Sequence, residues 1–171
     1  MQEIDVIGNV AESHLRFMLN TTLWDSFDPG VLGIISPSHS WNEVKLLAPD
    51  GKRNPQLNTI PNDKGGIYLF LVKSNIIPES HLYLMYVGRA HISTTQNLRK
   101  RCSQYPVEKK RPKIKRMIEQ WGKYLYIKYL PLDNNTTIDN VESELINKIL
   151  PPFNDEIPDQ KISDAVKAFS I

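Results

Sequence analysis

The chain has 171 residues, 40% of them hydrophobic and 23% charged, with a formal net charge of +2. This is the composition of an ordinary globular domain, and the absence of any run of about 18 apolar residues excludes a helical membrane span. One cysteine, Cys102, excludes an internal disulfide, and Met1 to Val6 lack the basic and apolar pattern of a leader, so the expected location is the cytoplasm.

Residues 1–61 read as an N-terminal extension, packed on or continuous with the core domain. Leu15, Met18 and Leu19 stand at i, i+3, i+4 and predict a helix running to residue 22, with Val10 and His14 extending its face. Asp28-Pro29-Gly30 is a turn signal, Val31 to Ile35 an apolar run of strand type, and Trp41 to Ala48 a second strand segment with imperfect alternation. His14 and His39 stand apart from cysteines and acids at ligand spacing and read as core or surface histidines. This part could complete the fold, recognise a target or bind a partner.

From residue 62 the pattern sharpens. Ile67, Leu69 and Leu71 alternate with Tyr68, Phe70 and Val72, which predicts a strand buried on both faces. His81 to Gly88 is a second strand, joined to the first by so short a loop that an antiparallel hairpin is expected. Ser93 to Gln96 offers the cap of a helix that runs to Tyr105 and stops at Pro106. Pro112 opens another, with Ile114, Met117, Ile118 and Trp121 on its apolar face and Gly122 at its end. Lys123 to Leu130 is a third strand. Asp139 or Asn140 caps a helix reaching Leu150, before Pro151-Pro152. The order predicts an α+β fold, a small antiparallel three-stranded sheet flanked by helices over 62–155, and a tail at 156–171 with a short helix near Ile162 to Phe169.

Charge is uneven. Nine Lys or Arg and one acid, Glu108, lie between Arg99 and Arg116. Such a strip is either a solvated helix face or the footprint of a polyanion, and its place directly after the Arg101–Tyr105 segment favours the second.

Five elements then stand in order. Gly66-Ile67-Tyr68 and Tyr86-Val87-Gly88 lie at the two strands; Arg101 and Tyr105 are four residues apart. Glu142 precedes Leu145-Ile146, and Phe153-Asn154 comes directly after Pro151-Pro152. Over about residues 65–155 this set resembles the GIY-YIG nuclease superfamily, with Val87 in place of the middle Ile of the second signature. Its local spacing is most similar to the nuclease module of bacterial excision-repair incision enzymes. The longer separations of Tyr68 from Tyr86, and of Gly88 from the arginine helix, depart from that group.

The resemblance implies a metal-dependent endonuclease hydrolysing DNA, with RNA also open, in a stand-alone restriction or defence setting. One Mg²⁺ or Mn²⁺ per site would sit on Glu142, since Mg²⁺ keeps most of its water shell and needs few protein ligands. Tyr68 would deprotonate or orient the attacking water, although a phenol of pKa about 10 is a poor base unless perturbed. Arg101 would brace the scissile phosphate with its planar fork. Tyr86 and Tyr105 would hydrogen-bond phosphate or water, and Asn154 would position a tyrosine or metal-bound water. Arg89, Arg99, Lys100, Lys109, Lys110, Arg111, Lys113 and Arg116 would contact the nucleic acid.

Each residue also has a plainer reading. The tyrosines suit any strand, Glu142 three residues after Asp139 could complete a capping box, Asn154 could cap the segment after Phe153, and Glu144 rivals Glu142 as a ligand. For the whole chain the alternatives are a structure-directed repair nuclease, a nucleic-acid-binding module of nuclease fold without catalysis, and a protein-interaction domain whose basic strip meets an acidic partner. Since one site cuts one strand per engagement, double-strand cleavage would favour a homodimer.

Overall fold

The computed structural model describes residues 15–37 and 40–168. Val10, His14, His39 and Phe169 lie outside the described residues. Four strands form one sheet: β1 (Asn42–Lys45), β2 (Gly65–Lys73), β3 (Leu82–Ala90) and β4 (Leu125–Leu132). Their order is β1-β4-β2-β3, and every neighbouring pair is antiparallel. Six helices accompany it among the described residues: α1 (Thr21–Asp25), α2 (Pro29–Ile35), α3 (Leu98–Ser103), α4 (Pro112–Trp121), α5 (Asn135–Ile149) and α6 (Gln160–Ala168). No helix among the described residues is long and apolar enough to cross a membrane.

The fold is α+β, but the sheet has four strands rather than the three expected. The fourth is β1, four residues long, which pairs Asn42 to Lys45 with Tyr129 to Tyr126. It lies within the Trp41 to Ala48 segment expected to be a strand; Val44 and Leu46 point into the core, whereas Leu47 is only partly buried and breaks the alternation.

Strand β2 is central and buried on both sides, as its double apolar pattern predicts. Tyr68 and Phe70 enter a core with Met85, Leu98, Cys102, Met117 and Ile127, under α3 and α4. Ile67 enters a second core with Val87, Leu130, Ile138, Val141 and Leu145, under α5 and α2. Burying some twenty apolar side chains at about 1.5–3 kcal/mol each is what holds a sheet between two helical layers.

Three local expectations are corrected. Val31 to Ile35 lies in helix α2, not a strand, because Asp28 caps Val31 N at 2.9 Å and Pro29 occupies the first turn. Among residues 15–22 the helix begins only at Thr21, capped by Asn20. Helix α5 starts earlier than expected: Asn134 is its cap, accepting from Thr137 N at 2.9 Å. Asp139 and Glu142 therefore stand mid-helix, and Glu142 belongs to no capping box.

Candidate active site

Two glycines let the tyrosines meet. In the β2–β3 pairing Tyr68 lies opposite Gly88 and Phe70 opposite Tyr86, so Tyr68 and Tyr86 share one face of the sheet. A Cβ on Gly88 would stand 2.6 Å from the Tyr68 hydroxyl and Cζ, so the ring needs the glycine beneath it. Gly66 has φ +147°, and a Cβ there would meet the Leu130 carbonyl oxygen at 2.2 Å. Both glycines are thus demands of packing at the central strands.

Tyr68 is fully buried, with its ring 5.6 Å from Tyr105 and 6.4 Å from Tyr86, centroid to centroid. Its hydroxyl shares a 2.5 Å hydrogen bond with the Tyr105 hydroxyl and accepts from Arg101 Nε at 3.2 Å. Tyr105 in turn accepts from an Arg111 terminal nitrogen at 3.1 Å, and that guanidinium lies 4.6 Å over its ring. Arg111 is fixed from behind by Glu108, which takes its Nε at 2.9 Å and a second nitrogen at 2.5 Å. Burial alone would lift the Glu108 carboxyl, but the bonds from Arg111 and the Lys110 amide hold it below the usual carboxylate range.

The electrostatics assign the phenols their state. Burial pushes Tyr68 well above the ordinary phenol pKa, Tyr105 and Tyr86 add to the shift, and Arg101 opposes it. Burial and Tyr105 raise Tyr86 likewise. Both are neutral at physiological pH, equipped to donate and accept hydrogen bonds but not to carry charge.

Period 2 sends Arg89 to the opposite face from Tyr86, towards α5. There its guanidinium pairs with Glu142 through a short hydrogen bond and with Asp139 at 3.0 Å, and His91 Nε2 lies 2.6 Å from the same Asp139 oxygen. The Glu142 side chain is 14% exposed. Burial raises its pKa, Arg89 counters that, and Asp139 adds to the rise. Glu144 is held elsewhere: it accepts from Asp28 N at 2.8 Å and lies 4.0 Å from Lys148. It does not line the cleft with Glu142.

These two sides open on one cleft of about 1260 Å³, lined by Tyr68, Tyr86, Arg89, Arg101 and Glu142, with Lys110, Arg111, Lys113 and Asn154 around them. Residues far apart in the sequence thus reach one space from β2, β3, α3, the start of α4, α5 and the segment after α5. Tyr105 does not line the cleft. It stands behind Tyr68, in a short 3₁₀ turn after α3 rather than on the helix with Arg101.

Asn154 is tied to the backbone of β3. Its Oδ1 accepts from Val87 N at 2.9 Å and its Nδ2 donates to Val87 O at 2.8 Å, while Phe153 N bonds Met85 O at 3.0 Å. The side chain completes the open edge of β3 as a partner strand would, and it fixes the backbone between Tyr86 and Gly88. Asn154→Ala leaves that edge unpaired and is expected to cost about 1–3 kcal/mol in urea unfolding, with activity falling through displacement of Tyr86.

The basic strip is divided. Arg101, Lys110, Arg111 and Lys113 line the cleft, Lys113 in an ion pair with Asp155. Arg99 instead donates to Ile60 O at 2.5 Å and Lys100 to Thr95 O at 3.1 Å, both structural bonds. Lys109 and Arg116 are not among the residues lining the cleft. Sequence reasoning did not single out Asp139, His91 or the role of Glu108, nor Lys167, which reaches the cleft from α6. Glu108 was findable from its i, i+3 spacing to Arg111; Lys167 gave no signal. No protein-family model matches the chain, and neither a search of curated proteins nor one of solved structures finds a match.

Proposed function

We propose that this chain is a GIY-YIG-type endonuclease that hydrolyses phosphodiester bonds of DNA with a divalent cation. The observation that carries the reading is the convergence of Tyr68, Tyr86, Arg101 and Glu142 on one basic cleft. A buried tyrosine pair braced by two arginines is more than a fold needs, and Glu142 brings a carboxylate to the same cleft, whose lining also holds Asp155 and Glu156.

The donor set fits Mg²⁺ or Mn²⁺ retaining most of its water. Glu142 lines the open cleft, and a cation that keeps most of its water needs few protein ligands. Bound there, the cation would relieve phosphoryl charge and lower the pKa of its water. Arg101 lines the cleft with its Nε on Tyr68 and one terminal nitrogen 3.5 Å from Gln104 Oε1, and its fork can turn to grip a phosphate. Tyr68, neutral and held by Tyr105 and Arg101, orients the attacking water rather than removing its proton. Tyr86 presents its hydroxyl beside it. Lys110 and Arg111 offer charge to the flanking backbone.

A restriction or defence role, a cytoplasmic setting and a homodimer for double-strand cutting complete the proposal. Direct hydrolysis should leave 5′-phosphate and 3′-hydroxyl ends, so products should religate without enzymatic repair. Ends that resist ligase until treated with phosphatase and kinase would exclude this chemistry.

A further inference from the structure

Arg89 occupies the place a cation would take. It bridges Glu142 and Asp139, which stand three residues apart on the same face of α5. Glu142 lines the cleft, as do Arg89 and His91, whereas Asp139 does not: it lies behind them, with His91 on its oxygen. The two carboxylates are therefore unequal. Glu142 faces the substrate space, and Asp139, 43% exposed, holds Arg89 and His91 outside it.

Resting on the nuclease reading, we propose that Asp139, held by His91, is a positioning residue that retains Arg89 when a divalent cation takes Glu142. Arg89 closes Glu142 in the resting protein. When the cation enters, the guanidinium gives up its bond to Glu142 but keeps its Nε on Asp139, and stays over the cleft with its terminal nitrogens turned to a phosphate. The bond given up joins Arg89, 40% exposed, to Glu142, whose side chain is 14% exposed, and a cation on Glu142 replaces the charge that Arg89 supplies there. Without Asp139 the guanidinium has Glu142 as its one remaining carboxylate and closes it more firmly.

The test is a calorimetric Mn²⁺ titration of the full chain without DNA. Wild type should bind one Mn²⁺, and Glu142→Gln should abolish it. Arg89→Ala should tighten binding at least about fivefold, since the pair it removes is half-buried on the Glu142 side, and Arg89→Gln should do likewise. Asp139→Asn should weaken binding about threefold in the wild-type background and leave it unchanged in Arg89→Ala, because Asp139 acts through Arg89. Equal weakening in both backgrounds would show Asp139 acting by its own charge and overturn the proposal. So would Glu142-dependent binding that Arg89→Ala does not tighten, a result that leaves the nuclease reading standing. Absence of any Glu142-dependent Mn²⁺ binding overturns both.

Discussion

Arg101→Ala should reduce single-turnover DNA cleavage by about 10²–10³-fold, the usual cost of removing one preorganised donor from a developing charge. The residue acts twice. Its Nε holds the Tyr68 hydroxyl, and its terminal nitrogens bring fixed positive charge to the cleft. Removing it leaves a buried phenol with one partner fewer, which should cost about 1–3 kcal/mol of stability, far less than the loss of rate suggests. Arg101→Lys restores charge without the fork and should recover only part of the activity. Thermal melts beside the kinetics separate the two effects. Wild-type cleavage by Arg101→Ala would remove this residue from the site.

Gly66→Ala should be the most damaging alanine substitution among the described glycines. Its Cβ would stand 2.2 Å from a backbone oxygen in the central β2–β4 pairing, at a φ of +147° that a side chain rarely adopts. Strain and overpacking each cost about 1–3 kcal/mol, so a loss near 3 kcal/mol or more is expected, a large share of the roughly 5–15 kcal/mol typical of a domain. Gly88→Ala differs in kind. Its Cβ meets the Tyr68 ring rather than backbone, so the ring moves and the hydroxyl leaves Arg101 and Tyr105. That variant should lose about 1–3 kcal/mol and a disproportionate part of its activity. Urea unfolding and cleavage on the same preparations distinguish the pair: equal stability of Gly66→Ala and wild type would contradict the packing described.

How much of this was legible in the sequence depended on whether the signal was local. Helix α4 was legible because Pro112 marks its start and Ile114 and Met117 repeat at helical spacing. The double burial of β2 was legible because both of its alternating sets are apolar. Strand β1 was legible within Trp41 to Ala48, but its four-residue bounds and its place in the sheet were not, since both come from pairing with β4. In α2 a Val-Leu-Gly-Ile-Ile run resembles a strand, and the Asp28 cap decides otherwise.

The candidate site was legible in residue types more than in roles. Tyr68, Tyr86, Arg101 and Glu142 do open on one cleft. But whether a tyrosine faces the cleft or backs it depends on where α3 ends, and Tyr105 falls beyond that end. Asn154 binds the Val87 backbone, a contact across 67 positions that spacing cannot express. The basic strip divides because charge counts ignore direction: Arg99 turns to the Ile60 carbonyl while Arg111 turns to Tyr105.

The most direct test of the endonuclease reading is supercoiled plasmid incubated with the protein in Mg²⁺, Mn²⁺ or EDTA, with Glu142→Gln in parallel. Glu142→Gln keeps the shape of the side chain and removes the charge that a cation needs. The expected result is nicked or linear DNA from wild type with either metal, none in EDTA, and a loss of at least about 10²-fold in the variant. Metal-independent cutting, or equal cutting by wild type and Glu142→Gln, would contradict the account. Salt-dependent binding with no cleavage in either metal would make the cleft a nucleic-acid-binding site without catalysis.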